Sequence, residues 1–470
     1  MLDPITRRPS GQVQLYRRQF QRSSAFPISR LLSVADVEEA VAAEGCSFRE
    51  RVFTPALTIW VFLGQVLDPD HSCRQAVLQL VAWLAALGRK ACSSNTGAYC
   101  KARARLPEGV LARLTRASAR KLENNSPRDW HWHGKPVRTA DGTTASMPDT
   151  GANQAAYPQT RAQKPGVGFP LMRIVVIFSL SVGTVLDAAF NPYRGKETGE
   201  TAMLRTMLGS LAAGDVLLGD RYFANYWLIA LAMQSGIDVV FRQHQLRKVD
   251  FRRGRRLGKD DHIIVWTKPQ RPQWMTKAMY AALPETLTLR ELRLQIPKGK
   301  NRTRAIVVVT TLLDAGRYAK GELQALYRLR WQAELNLRSL KTTMQMDVLR
   351  CKAPDRVRKE IWAHFLVYNL IRTAMAQAAQ AHACEPWQLS FKGAQQALRA
   401  FGGFWPTRRA LEPDAYYDDL LHAIAEHRVG HRPDRWEPRA KKRRPKSYRL
   451  LNEPRAQAKA RLASGSGRWN

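Results

Sequence analysis

Acidic residues are scarce in this chain. It has 470 residues, of which 39 are Asp or Glu against 75 Lys or Arg, for a formal net charge of +36. A surplus of that size repels itself and calls for a polyanionic partner. DNA, RNA and an anionic membrane are the classes it admits. Long apolar runs are missing too. Residues 54–67 and 76–87 are short or interrupted, and residues 171–190 hold Arg173, Asp187 and a Ser/Gly turn, whereas a bilayer span needs about 20 largely apolar residues. The opening residues, MLDPITRRPS, contain no apolar signal-peptide core. These absences set the membrane aside and point to a cytoplasmic protein with nucleic acid as its polyanion. Cysteine is sparse as well: Cys46, Cys73, Cys92, Cys100, Cys351 and Cys384 form no CxxC pair, which argues against a disulfide framework. A zinc site from Cys92, Cys100, His131 and His133 matches no established ligand spacing, so the thiols are read as ordinary side chains.

What is present is globular material. The chain is 45% hydrophobic and 24% charged, near the average of soluble domains and long enough for about two to four of them. Residues 1–30 are polar and basic and read as a flexible arm. From residue 31 to 135, apolar residues recur at helical spacing in VADVEEAVAA, TPALTIWVFLGQVL, SCRQAVLQLVAWLAAL and PEGVLARLTRASARKL. Ser33, Pro55, Asp70, Gly88 and Pro107 act as caps and breakers. This predicts a helical domain that either binds DNA, with Ala91–Arg105 as its recognition helix, or simply packs.

The pattern changes near Lys135. Residues 136–243 read as strand, strand, strand, helix, strand, helix, strand, a mixed sheet with helices. Residues 244–304 alternate like β-strands and are basic; from Arg242 to Arg304 there are 17 Lys or Arg against 5 Asp or Glu. They read as a β-rich insertion. Residues 305–311 form a buried strand. One long helix follows over 315–344 and an apolar core helix over 359–383, so 305–383 rejoins the 136–243 unit. Residues 384–430 are helical. Residues 431–470, with Lys441–Arg444 consecutive, read as a basic tail that contacts phosphates.

Phosphoryl transfer on DNA needs carboxylates that gather two divalent cations. Asp141 interrupts an extended stretch, ADGTT, where a charge is costly without a partner. Asp220 ends the short strand VLLGD, and the carboxyl ends of strands are where α/β sheets place ligands. Either aspartate alone reads equally well as a turn or cap. On the long helix Tyr327, Arg330, Glu334 and Lys341 stand at offsets 0, 3, 7 and 14. At about 100° per residue they share one face about 60° wide and about 21 Å long, with Arg338 at its edge. That stripe suits a phosphodiester backbone, with Leu326, Leu329, Ala333, Leu337 and Leu340 pointing largely elsewhere to pack on the sheet; a solvated face with i,i+4 ion pairs such as Glu334–Arg338 is the plain alternative.

The helix reads YRLRWQAELNLRSLK and is similar to the Y-x2-R-x3-E-x6-K signature of the insertion-sequence-4 family of DDE transposases. The ADGTT and LLGDRYF segments resemble that family's two aspartate motifs, and the tail EPRAKKRRPKSYRLLNEPR resembles its basic C-terminus. The resemblance spans roughly residues 137–455. It implies an α/β fold with an RNase H-like catalytic core, a β-rich insertion, a helical N-terminal domain and a helical, basic C-terminal region. It implies that Asp141, Asp220 and Glu334 hold Mg2+ or Mn2+, expected as two ions. Tyr327, Arg330 and Lys341 would position the cleaved strand, with Arg338 beside them. It further implies cut-and-paste transposition through a hairpin, acting on double-stranded element ends and target DNA at the bacterial nucleoid, with a homodimer on DNA. Trp266 and Trp274 in the insertion are the candidates to stack on a displaced base, with both as core residues the alternative. Two other readings share these residues: a catalytically dead DNA-binding descendant, and a nuclease without sequence preference.

Overall fold

A computed structural model describes residues 31–45, 48, 52–86, 92–297, 303–404, 413–430 and 452–464. The expected arm at 1–30 and the Lys441–Arg444 run lie outside the described residues. Five helices come first: α1 (Val34–Ala43), α2 (Pro55–Leu67), α3 (Cys73–Ala86), α4 (Gly97–Arg105) and α5 (Glu108–Asn124). Local chemistry starts them. Ser33 and Asp36 form a capping box on α1. Thr54 caps α2, its Oγ1 accepting from Leu57 N at 3.3 Å ahead of Pro55 at the first helical position.

The sheet follows in the expected order: β1 (Val137–Ser146), α6 (Gly151–Ala156), β2 (Leu171–Ser179), β3 (Val185–Pro192), α7 (Glu200–Thr206), β4 (Val216–Gly219), α8 (Tyr226–Gln234) and β5 (Asp238–Arg242). Then come β6 (Arg255–Gly258), β7 (Asp261–Thr267), α9 (Lys277–Ala282), β8 (Thr286–Pro297) and β9 (Thr303–Thr310). All nine strands form one sheet, ordered β3-β2-β1-β4-β5-β9-β8-β7-β6. Only β1 with β4 and β4 with β5 are parallel. The 244–304 stretch is β-rich, as its alternation indicates. It is not set apart from the core, however, because β9 pairs with β5 on one side and β8 on the other. A buried Arg290–Asp261 pair at 2.6 Å fastens β8 to β7, and Arg290 also donates to Tyr318 O at 2.7 Å.

The long helix expected over 315–344 is three pieces: α10 (Lys320–Arg328), α11 (Trp331–Arg338) and a π turn, Ser339–Thr343. At the first break the backbone tightens to i→i−3 bonds, Leu329 N to Leu326 O (2.9 Å) through Ala333 N to Arg330 O (3.1 Å). At the second it widens, Met344 N reaching Ser339 O at 2.9 Å. Leu326, Ala333, Leu337 and Leu340 are buried as expected, but Leu329 at the tight turn is 44% exposed. The apolar helix α12 (Pro354–Ala381) starts at its proline, ahead of the expected residue 359. α13 (Phe391–Phe404), α14 (Pro413–Glu426) and α15 (Arg455–Ala463) complete the chain. α15 lies within the stretch read as a tail. It is anchored by Arg455, which pairs with Asp149 at 3.0 Å and covers the Phe169 ring at 4.1 Å.

The N-terminal helices share a core with the sheet. Ile59, Phe62, Leu111 and Leu114 pack in one cluster with Ile174, Val176 and Phe178 of β2 and with Ile361 and Phe365 of α12. Two buried polar joints fix this contact. Arg138 on β1 donates to Asp215 at 3.0 Å through both Nε and Nη2, and to Glu123 at the end of α5. Asn369 of α12 donates to Thr115 O and Val185 O, both at 2.9 Å, and accepts from Val185 N at 2.8 Å. Arg103, within the stretch read as a possible recognition helix, is half-buried over the Phe62 ring at 3.8 Å and donates to Gln65 Oε1 at 3.0 Å.

Arg138→Met leaves two carboxylates buried without their cation, so urea denaturation should show a loss of about 3–5 kcal/mol. A loss below about 1 kcal/mol would contradict the joint. A second expectation concerns His71 and His364, whose rings stack at 5.8 Å between the α2–α3 loop and α12. Burial pushes both down to about 4, helped at His71 by Arg350. Their folded pKa lies below the unfolded value near 6.5, so their contribution is full above about pH 6.5 and is lost as pH falls toward 4. Stability should drop by about 2 kcal/mol per histidine between pH 7.5 and 5. It should drop clearly less in His364→Asn; an undiminished drop would place the titration elsewhere.

Candidate active site

β1 outruns its parallel neighbour. Its pairing with β4 ends at Thr139 opposite Leu218, whereas pairing with β2 continues to Ser146. Asp141 stands just past that last parallel pair, where the β4 side of β1 is open. Asp220 is the first residue after β4 and starts a short 3-10 turn, its Oδ1 accepting from Arg221 N at 2.6 Å. Gly219 lets the strand end there. A Cβ at that position would meet Phe223 at 2.7 Å and Phe241 at 2.8 Å. Asp141, midway along β1 just past its parallel pairing, and Asp220, at the carboxyl end of β4, thus lie beside the gap that opens between the two strands; strand ends of this kind are where such sheets hold ligands.

α11 brings Glu334 to the same place. Glu334 Oε1 accepts from Arg330 Nη2 at 2.8 Å, so the i,i+4 pair that forms is Arg330–Glu334. Burial opposes the Arg330 charge, but the Glu334 bond and the neighbouring Tyr327 and Asp220 outweigh it and raise its pKa. Tyr327 is buried, and burial together with the nearby Asp220 pushes its phenol up to about 12. Lys341, carried by the π turn, donates from Nζ to Thr143 Oγ1 at 3.1 Å and to Thr144 O at 2.9 Å on β1. Arg338 is exposed. π turns recur at functional positions, and this one ties the Glu334 helix to the Asp141 strand.

Asp141 shows what this gathering costs. Burial, then the charges of Glu334 and Glu200, push its carboxyl up to about 6 against the opposing pull of the Gly142 N–H and Arg330. Glu200, the first residue of α7, is itself raised by burial and by Asp220, with Arg173 pulling the other way. Sequence reasoning missed Glu200, because it belongs to no fixed-spacing motif. Its one local signal is the GETAM start of a helix directly after the third strand.

Asp141, Asp220, Glu334, Tyr327, Arg330 and Lys341 come together. The insertion tryptophans do not join them as free stacking faces. Trp266 is 2% exposed, donates to Glu291 at 3.1 Å and lies under the Arg247 guanidinium at 3.6 Å. Alternation on β7 turns Val265 outward and Trp266 into the core. Trp274 is packed against the same core and covered by Arg205 at 3.4 Å. The aromatic beside Arg330 that does face solvent is Trp331, 56% exposed. Among the described residues, no three His, Cys, Asp or Glu side chains stand in a metal-holding arrangement, and Glu334 is turned to Arg330. No helix among the described residues is long and apolar enough to cross a membrane.

A cleft of this kind on a mixed sheet, acids at the strand ends and cations on the covering helix, fits an enzyme acting on phosphodiesters. Residues 132–370 match the family described as transposase DDE domain. Over 358 residues the chain is 30% identical to the transposase InsG for insertion sequence element IS4 of Escherichia coli (strain K12), covering 73% of this chain and 75% of that protein. A 65-residue stretch is 37% identical to the transposase for insertion sequence element IS421 of Escherichia coli, 14% of this chain and 18% of that one. A solved piggyBac transposase synaptic complex with hairpin DNA aligns over 89% of each chain at 10% identity and a TM-score of 0.40. The chain belongs to the DDE transposases of the insertion-sequence-4 family, enzymes of DNA strand cleavage and transfer.

Lys341→Met should cost about 1–2 kcal/mol of stability by freeing the π turn from β1. It should also reduce the salt slope of DNA binding by about one. An unchanged slope would remove Lys341 from the phosphate interface.

Proposed function

We propose that this chain carries out cut-and-paste transposition of an insertion sequence, through a hairpin at the element ends, with Asp141, Asp220 and Glu334 as its reacting centre on an RNase H-like core. The observation that carries this reading is the electrostatic contact of Asp141 with Glu334 and of Asp220 with Arg330, the residue bonded to Glu334, beside the gap where β1 outruns β4. The strand order β3-β2-β1-β4-β5, with β2 antiparallel to β1 and β4 parallel to it, supports the core assignment.

The donor set suits Mg2+ or Mn2+: hard carboxylate oxygens, the Asp141 carboxyl raised by burial and by the Glu334 charge, that gain from a shared cation. When bound, two such ions activate the attacking oxygen and stabilise the leaving one. Glu334 must exchange Arg330 for that role, which frees the guanidinium for a phosphate oxygen in bidentate geometry. Tyr327, held protonated, donates a hydrogen bond beside Asp220. Lys341 and Arg338 extend the cationic face along the strand. Trp331, and Tyr222 (56% exposed, two residues after Asp220), offer the aromatic faces that a displaced base needs; they replace Trp266 and Trp274 in that part. A homodimer on DNA, engaging double-stranded element ends and then target DNA, completes the reading.

The test is metal-dependent cleavage of DNA that carries the element's end. Wild type should nick and then join, with a hairpin product visible on a denaturing gel. Asp220→Asn and Glu334→Gln should fall to background while still binding DNA. Cleavage of random DNA without joining would favour a plain nuclease. Wild type no better than Asp220→Asn would favour a binding protein.

A further inference from the structure

A cavity of about 470 Å³ lies behind the helix that carries Glu334. Gln332 and Asn336 of α11 line it; at about 100° per residue they stand on the face away from Glu334. The other walls are indoles. Trp130 and Trp132 come from the segment leading into β1. Trp387, 59% exposed, comes from a 3-10 turn after α12, Pro386–Gln388. The charge of this lining is acidic, against the character of a chain with net charge +36. Asp129 and Glu385 face one another there, and burial followed by the Asp129 charge pushes the Glu385 carboxyl up. Asp129 has no hydrogen bond or ion pair among the described residues. Arg372, also in the lining, is turned inward, donating to Tyr368 Oη at 2.9 Å and to Asn336 Oδ1 at 2.6 Å. Asn336 is only 3% exposed, and with Oδ1 taken by Arg372 its Nδ2 donor has no partner among the described residues.

These carboxylates repel phosphate, so the cavity does not suit DNA. Indole faces together with carboxylates select a guanidinium or an ammonium. A buried amide N–H without a partner selects a carbonyl beside that cation. A basic stretch of polypeptide carries both groups, and the chain delivers one to this place. After α14 it runs back along the turn that holds Trp387. Ser390 N donates to His427 O at 2.7 Å, Leu389 bridges Arg428, and Val429 N donates to Gln388 O at 2.6 Å. The described residues pause at Gly430, beside Trp387. The next fourteen, 431–444, hold seven Lys or Arg against two Asp or Glu. Arg432 and Arg435 follow Val429 by three and six positions, a reach of about 10–21 Å of extended chain.

We propose that this cavity is the docking site of the chain's own basic tail. An arginine of residues 431–439 enters among the indoles of Trp130, Trp132 and Trp387 and pairs with Asp129 and Glu385, and a tail carbonyl accepts from Asn336. The tail then starts from a fixed point behind α11, ahead of its Lys441–Arg444 run. The inference is independent of the cation centre.

The test reads the fluorescence anisotropy of a labelled synthetic peptide, residues 431–446, against the full chain without DNA. In wild type the tail already fills the cavity, so the peptide should bind weakly. The double variant Arg432→Ala/Arg435→Ala empties the cavity and should bind the peptide at least about tenfold more tightly. Adding Trp387→Ala or Asp129→Asn to that double variant should return binding to the wild-type level or below. Asp129→Asn removes a charge that bonds to nothing else described, so it keeps the test sound if Trp387→Ala lowers the melting temperature. A peptide with alanine in place of both arginines should not bind. Equal, tight binding by wild type and the double variant, lost with Asp129→Asn, would make the cavity a seat for another chain's basic segment and overturn the tail as its occupant. Failure of the double variant to bind, or binding indifferent to both Trp387→Ala and Asp129→Asn, would overturn the site itself.

Discussion

Repulsion among carboxylates gathered on one end of the sheet is the constraint around which this molecule is arranged. Asp141, Asp220 and Glu334 arrive from two strands and a helix far apart in the chain, and the charges of Glu334 and of nearby Glu200 raise the cost of ionising Asp141. Such a cluster persists only where the surrounding structure over-determines it. Here the over-determination comes from parallel pairing of β1 and β4, from Gly142 and Gly219 clearing space for close approach, and from a π turn held to β1 by Lys341. Arg330 partly neutralises the cluster and holds Glu334 to itself.

The helices that precede the sheet serve this arrangement. Arg138 lies on β1 three residues before Asp141, buried between Glu123 of α5 and Asp215 ahead of β4. One side chain thereby sets the strand that carries the first aspartate against both the N-terminal helices and the strand that precedes the second. Asn369 does the same between α5, β3 and α12. A shared core and two buried polar joints make the N-terminal helices part of the platform, which a reading of periodicity in separate segments could not reveal.

Much of the centre was legible because it is written in local chemistry. An aspartate after a buried strand and a Tyr-Arg-Glu-Lys series at fixed spacing both survive in the fold. The helical wheel treated this stretch as one regular helix. It assumed uniform turns, whereas the chain tightens after Leu326 and widens after Arg338, and it took Leu329 as a packing residue when the tight turn leaves it exposed. Trp266 could be read as a stacking face or as core because a basic, alternating stretch leaves open which face of its strand is buried; pairing with β8 decides for the core. Glu200 was invisible for a different reason: its neighbours are made by tertiary packing, and one helix-start Glu resembles any other.

The central claim is that these acids form a single cation centre. Diffraction from Mn2+-soaked crystals of the full chain, recorded at a wavelength where manganese scatters anomalously, tests it most directly. The account requires anomalous density within about 2.0–2.6 Å of Asp141 and Asp220 oxygens, with Glu334 turned away from Arg330. Manganese found only elsewhere on the surface, with the Arg330–Glu334 pair intact and no density between the aspartates, would contradict it.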